Sequence, residues 1–413
     1  MSTPEPLFRR FSQLFERGFR IDWITATYIS TTHLVLLLGT PLAYYFAPTG
    51  FWQVMLAWTL FHTLVACISV TSYAHRLIAH GAALRIRWPV HLLFGYIGHV
   101  LAMQGSVRRW AATHVIHHSV DRTGKHHLDP YSATWFPRCW QNFLWSHLLT
   151  YFFHHPPSKE LEAAYNRNSE PLLIVQERLY IPLLVFLNYL LPFVLGTILT
   201  ASLIGGFCLL MASVGGFILA QHNTWTVNSI THLFGFKPSL ISSAKNNYVW
   251  LGPLGEGNHH ADHHDFCRDY RSGFGVKGWF LDPTRYVLLA LRVLGGIKGL
   301  QRATKLQEVK IITQRKMREV QGKPGWREWE SKLQALMSEW LATTRQWEAF
   351  KNVFKSRKLE LRAMRLPKLE LQQNLVALKE ELQQTKRAMR DARAAFINTF
   401  NAMQRQVSTA SIG

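Results

Sequence analysis

The chain has 413 residues, of which 48% are apolar and only 17% charged. A charged fraction so far below the usual quarter fits a membrane protein. The formal net charge is +21, yet no recognised DNA- or RNA-binding motif appears, so nucleic acid is set aside as a partner in favour of Lys- and Arg-rich cytoplasmic segments facing anionic headgroups. Four cysteines, at positions 67, 139, 208 and 267, form no CxxC pair, which argues against a disulfide framework and against thiolate metal ligands.

The mean hydropathy of −0.02 averages an apolar first two thirds with a polar last third. The opening run MSTPEPLFRRFSQLFERGFR is too polar for a cleavable signal peptide, so residues 1–23 read as a cytoplasmic N-terminal segment. Four apolar stretches follow, at about 24–47, 51–74, 180–200 and 203–221, each near the ~20 residues that a helix needs to cross the hydrocarbon. The short connections, APTG between the first two, predict two hairpins. A fifth apolar stretch, Val90–Met103, is shorter and contains His91 and His99; its length suits a segment lying in the interface or buried in protein. Four spans put both termini and the segment 75–178 on one side. Arg9, Arg10, Arg17, Arg20, Arg76, Arg108 and Arg109 flank the spans there, while the two tight turns carry no Lys or Arg. The shared side therefore reads as cytoplasmic.

Three histidine clusters lie on that side: HRLIAH at 75–80, HVIHH at 114–118 and HADHH at 260–264. Imidazole suits iron, zinc, copper and nickel. His114, His117 and His118 stand at i, i+3 and i+4 and share a helix face, and His260, His263 and His264 repeat the pattern. His75 and His80 are five apart, about 140° around an α-helix, so they are expected to diverge toward two different metals. Eight nitrogens are too many for one ion and reasonable for two. Carboxylates are scarce: Asp121, Asp129, Glu256, Asp262 and Asp265 are nearby, without the Glu-x-x-His pairs of carboxylate-rich di-iron bundles. On ligands alone, a nitrogen-rich oxygen-activating centre and a zinc hydrolase site both stand, as does a membrane metal-binding protein without catalysis.

From about Lys298 the composition turns basic and helix-favouring, and residues 301–413 carry roughly +12 of the net charge. Gly322-Lys323-Pro324-Gly325 breaks the run. A stretch with Trp326, Trp329, Trp340 and Trp347 follows, then leucines at 371, 375, 378 and 382. Residues 298–413 are thus expected to form a basic helical extension. It would be an amphipathic tail packing on itself or on the membrane surface, or a coiled coil serving oligomerisation.

The motifs resemble those of the membrane-bound fatty acid desaturases, in particular the stearoyl-CoA or acyl-lipid delta-9 type. HRLIAH matches that family's HRxxxH box, and HVIHH and HADHH its two HxxHH boxes. QGSVRRWAATHVIHH, DPYSATWFPRCWQNFLWSH, HNTWTVNSITHLFGFKP and LGPLGEGNHHADHHDFCRDYR resemble the blocks around them. The likeness covers about residues 20–285.

It implies an all-α integral membrane protein with four spans in two hairpins and a cytoplasmic helical cap carrying a histidine-rich dimetal site, residues 24–297 being the membrane domain. It implies two irons, with O2 as co-substrate, held by His75, His80, His114, His117, His118, His232, His260, His263 and His264, and by Asn228 through a water. Gln104, Trp110, Thr224 and Trp225 match residues that line a bent acyl tunnel. The third box has an extra residue, so His259 competes with His260 as its first ligand; spacing to Phe266 favours His260.

The activity implied is an oxygen-dependent oxidoreductase that inserts a cis double bond into a long-chain acyl-CoA or acyl-lipid. A hydroxylase on the same scaffold is the near alternative. The partners implied are the acyl substrate, membrane lipid and a separate electron donor of ferredoxin or cytochrome type with its reductase, since no HPGG haem signature is present. The membrane would be a bacterial inner membrane or endoplasmic reticulum. Two departures stand out. Ala111, Ala112 and Thr113 occupy the place where acyl-CoA enzymes carry an Arg-Asp pair touching CoA, and the loop from His118 to Asp129 is longer than usual and includes His126 and His127.

Overall fold

Asp22 opens the first long helix. Its carboxylate accepts from Thr25 N at 3.0 Å, filling one of the donor positions that a helix start leaves empty, and helix Trp23–Phe46 (α1) follows. In the computed structural model the described residues are 14–16, 18–123, 128–129, 131–236, 242–247, 256–323, 325–364, 370, 373 and 375–410. Arg9, Arg10, Arg17, His126, His127 and Leu371, and the side chain of Asp121, lie outside them.

Among the described residues four helices are long and apolar enough to cross a membrane: α1, Phe51–Ala79 (α2), Pro171–Thr200 and Leu203–Leu233. The third begins at Pro171 rather than Tyr180, because Gln176, Glu177 and Arg178 lower the hydropathy without breaking the helix. The fourth continues past Gln221 to Leu233 and so carries the TWTVNSITH block on the same rod as the span. α2 is α-helical to Ile68 and π-helical from Ser69 to Ala79.

Between the two hairpins lie helical segments Trp88–Val90, His91–Gly98 and His99–Leu101 (together α3), then Val107–Thr123 (α4), Cys139–His147 (α5) and Lys159–Arg167 (α6). The two long helices Pro171–Thr200 and Leu203–Leu233 are α7 and α8. His260–Asp265 (α9) and Pro283–Val293 (α10) complete the cap. Within α3, His91 and His99 are buried while Leu92, Leu93 and Ile97 are exposed. One face therefore packs on protein and the other is free for the membrane interface.

α8 is the central element. Of its most apolar window 67% is buried, against 17–33% for the other spans, and it packs on α1, α2, α5 and α7. Cys208, Leu209, Phe217 and Ile218 from α8 meet Ala43 of α1 and Met55 of α2 in the membrane core. Leu37, Ile181, Ile198, Leu199 and Leu203 point outward, each more than 60% exposed. That pattern is a liability in water and ordinary against lipid.

α7 and α8 touch through glycine. A Cβ on Gly196 would stand 2.2 Å from Gly205 O, so the close backbone approach needs hydrogen there.

Among the described residues, sheet consists of two short antiparallel pairs, Arg20–Ile21 (β1) with Phe153–His154 (β3) and Ala83–Ile86 (β2) with Ile297–Leu300 (β4), besides a single bridge between Phe236 and Asn246.

The chain divides into two compact units, Met1–Arg302 and Ala303–Gly413. The composition changes near Lys298, but the first unit extends beyond it because Ile297–Leu300 is paired to β2. The second unit is a helical bundle of Lys305–Val320 (α11), Trp326–Ala363 (α12) and Val376–Ala410 (α13). Its core joins Val309, Val320, Leu333 and Trp340 to Met389, Phe396, Phe400 and Met403. The extension therefore packs on itself. Leu375 is buried, whereas Leu378 and Leu382 are only half-buried, so aromatic and methionine side chains rather than a leucine seam fill this core.

Candidate metal centre

Nine histidines converge, His75 and His232 from the last turns of the span helices α2 and α8 and the other seven from the segments beyond them. His75, His80, His114, His118 and His263 form one group and His117, His232, His260 and His264 a second, the candidate donor nitrogens of each lying within 4.8 Å of one another. All nine are buried.

The triplets are shared between the groups by helix geometry. In α4, His114 and His118, one turn apart, face the first group, while His117 faces the second. In α9 the assignment is reversed: His260 and His264 face the second group and His263 the first. Positions i and i+4 lie close in azimuth and i+3 lies on the other side of them, so a single helix turn serves both groups.

His75 and His80 do not diverge; both belong to the first group. The expected 140° separation holds for an α-helix, but residues 69–79 are π-helical. His80 N donates to His75 O at 3.2 Å, an i to i+5 bond, and this wider winding brings residues five apart onto one face.

The opposed nitrogens have the spacing of ligands around an ion. His75 Nε2 is 2.8 Å from His263 Nε2, His80 Nε2 is 3.0 Å from His114 Nε2 and 3.2 Å from His263 Nε2. In the second group, His232 Nε2 is 2.9 Å from His260 Nε2 and 3.2 Å from His117 Nε2, and His264 Nε2 is 3.1 Å from His260 Nε2. Adjacent nitrogens about 2.1 Å from one metal would be about 3 Å apart.

The donor chemistry fits a metal. Burial first, then the neighbouring imidazoles, hold His114, His118, His260 and His263 well below the usual histidine range, so these rings are neutral and offer lone pairs at neutral pH. Both ring nitrogens of His118 are buried without a hydrogen-bond partner among the described residues, an arrangement that is costly unless a cation takes a lone pair.

Carboxylates and hydroxyls hold the rings from behind. His117 Nδ1 is 3.0 and 3.1 Å from the two oxygens of Asp129, and His232 Nδ1 is 2.9 Å from Ser243 Oγ. Glu256 Oε2 lies 3.6 Å from His75 Nδ1. Such partners fix the tautomer and aim Nε2 forward. Burial raises the Glu256 carboxyl above its usual range, and this outweighs the lowering by Arg76.

Arg76, inside the first box, binds four groups at once. It donates to Glu256 Oε1 at 2.8 Å, Ser272 Oγ at 2.7 Å, Asp282 Oδ1 at 2.6 Å and Tyr270 O at 2.7 Å. It thereby ties the π-helical end of α2 to the segment that carries the third box. Asn246 plays a smaller version of this part: its Oδ1 accepts from Ala261 N and Asp262 N, and its Nδ2 donates to Asp262.

His259 is also buried but stands outside both groups. Its Nδ1 is 3.4 Å from Asp262 Oδ2, and its ring packs where a Cβ on Gly273 would be, so the protein keeps glycine there. His260 is the residue brought to the second group.

An apolar cleft reaches the first group. His75, Trp110, His114, Thr224 and Asn228 line it together with Cys67 and Val70. Trp110 stacks on His114 with centroids 4.9 Å apart. Gln104 joins two walls: it accepts from Trp110 Nε1 at 3.1 Å and donates to Thr224 Oγ1 at 3.0 Å. Asn228 Nδ2 donates to Tyr151 Oη at 3.2 Å. Trp225 is not among the cleft-lining residues. It is buried in an aromatic cluster with Tyr151, His147, His222 and His33, one step behind the wall on α8.

Asp129, Glu256 and Asp262 were visible in the sequence only as nearby carboxylates. Arg76 and Ser243 carried no ligand signal, because each acts from behind a ligand.

No family model matches the chain. It is similar to several curated proteins. It is 29% identical to human "Stearoyl-CoA desaturase" over 279 residues, 66% of this chain and 72% of that protein. It is 29% identical to the protein of the same name from Sus scrofa over 287 residues, again 66% and 72%. It is 27% identical to "Probable acyl-CoA desaturase" from Schizosaccharomyces pombe over 273 residues, 65% of this chain and 54% of that one. With two histidine groups at the cap of a four-span helical membrane protein, the chain is thus similar, in sequence and in site, to the membrane-bound fatty acid desaturases of the stearoyl-CoA type.

Proposed function

We propose that the protein is an oxygen-dependent fatty acyl desaturase that inserts a cis double bond, of delta-9 position, into a long-chain acyl-CoA or acyl-lipid. The observation that carries this reading is the apolar cleft whose wall includes ligand-type histidines, His75 and His114, together with Trp110 and Thr224. An apolar chain lying there would place a methylene beside the first histidine group. Each methylene withdrawn from water contributes about 0.8 kcal/mol, so chain length sets how firmly the substrate is held and which carbon meets the centre.

The nine histidines fit two metal ions, with Asn228 supplying a further position through water, and we assign the metal as iron. When bound, the di-iron centre supplies the activation of O2. Overall, two C–H bonds of the substrate and two electrons and two protons from outside are consumed with one O2, giving one C=C bond and two waters. The protein's own share is positioning and exclusion of water. The Gln104 hydrogen bonds hold Trp110 and Thr224 as fixed walls. Asp129 and Ser243 hold His117 and His232 in one tautomer.

The electrons are proposed to come from a separate donor protein of ferredoxin or cytochrome type with its reductase. The basic flanks support a centre at the cytoplasmic face, of a bacterial inner membrane or endoplasmic reticulum.

The deciding experiment is expression in a desaturase-deficient host, with mass-spectrometric location of any new double bond. A new cis alkene nine carbons from the carboxyl end supports the reading in full. A hydroxylated product without alkene overturns it in favour of a hydroxylase, and unchanged lipids with metal-loaded protein favour a non-catalytic metal-binding protein.

A further inference from the structure

A second cavity lies apart from the histidine centre, of about 630 Å³ and open to the outside. Four cations rim it: Arg85 and Arg87 at the β2 strand, Lys298 on β4 and Arg167 at the end of α6. None of the four has an ion-pair partner among the described residues, and the one acid in the lining, Glu170, faces His91 Nε2 at 3.4 Å. Four like charges around one space repel one another unless an anion sits between them. Binding an anion there would be charge-assisted and, at the arginines, two-pronged.

The position in the fold says where the anion comes from. The floor of the cavity includes Leu77 and Leu173, the first near the last turn of span α2 and the second in the first turn of span α7. The cavity therefore sits at the level where two apolar helices leave the hydrocarbon. Around it the surface is apolar. Leu84 is 74% exposed, Trp88 66%, Val293 85% and Leu294 80%. A tryptophan and aliphatic side chains beside unpaired arginines are the composition of a surface that enters the acyl–headgroup boundary.

We propose that this cavity is a binding site for an anionic phospholipid, its phosphate held by Arg85, Arg87, Arg167 and Lys298 while Leu84, Trp88, Val293 and Leu294 contact its acyl chains. The site is separate from the cleft at the histidines and does not depend on the catalytic reading.

The test uses the full-length protein, purified in neutral detergent and titrated with phosphatidylglycerol or with phosphatidylcholine of the same acyl chains, with lipid retention read by native mass spectrometry. The expected result is one phosphatidylglycerol retained about tenfold or more tightly than phosphatidylcholine, since each cation near the headgroups adds to the attraction. The variant Arg85→Gln/Arg87→Gln/Lys298→Gln should lose that preference, and Arg85→Lys/Arg87→Lys should keep most of it. Equal retention of the two lipids by the wild-type protein overturns the proposal, whatever the variants do. So does a full preference in the Gln variant. Glycerol phosphate displacing phosphatidylglycerol at equal concentration would make the cavity a site for soluble anions and would equally overturn the lipid assignment.

Discussion

Arg76 and Asp282 are joined by a buried 2.6 Å charge-assisted hydrogen bond across 206 positions of sequence. Asp282 also accepts from Ser272 N at 2.8 Å and caps α10, so this one contact holds three segments around the first histidine group. Replacing Arg76 with Leu would leave Asp282 and Glu256 buried without their counter-charge, at a cost of about 3–5 kcal/mol. Thermal unfolding in detergent should show a marked drop in midpoint, and bound metal should fall with it. A variant with unchanged midpoint and metal content would mean that the clamp does not support the centre.

Asp129 lies behind His117 rather than among the donors. Asp129→Asn keeps the shape and weakens the hold on the Nδ1 proton. Metal affinity should fall by about 10–100-fold, the usual size of such an outer contact. The loss is to be read by competition with a chelator of known affinity, while circular dichroism stays unchanged.

His263 and His264 are adjacent in sequence but belong to different groups. His263→Ala and His264→Ala should each lower metal content, and the ion that remains should differ between them. Comparing the Mössbauer or EPR spectra of the two variants checks this. Identical residual spectra would contradict the division into five and four.

Gly196 faces the backbone of Gly205. Leucine at 196 has no room and must push α7 off α8, the helix that carries Thr224, Asn228 and His232. Overpacking of this kind costs about 1–3 kcal/mol. Gly196→Leu should lower both the unfolding midpoint and the metal content, whereas Gly215→Ala, whose added methyl would meet only ordinary contacts, should change neither.

Eight of the nine histidines were legible because they sit at spacings that helices enforce. His232, Asn228 and the cleft residues Gln104, Trp110 and Thr224 came from the resemblance of the surrounding blocks, and the cleft does bring the last two together with Asn228. Trp225 shares the block but points away, since neighbours on a helix are 100° apart. The partnership of His75 and His80 could not be read, because residue types do not announce a π-helix in place of an α-helix. Arg76 was equally silent. An arginine beside a histidine box reads as a membrane flank until the fold brings Glu256, Ser272 and Asp282 to it from some 200 residues away.

The exchange of i+3 residues between α4 and α9 has a mechanical consequence. Neither histidine group belongs to one helix, so neither can be adjusted alone. A small rotation of α4 that drew His117 toward the second group would swing His114 and His118 away from the first, and α9 would respond in the opposite sense. The two groups therefore behave like pans on a single beam, coupled through the two helices that serve both.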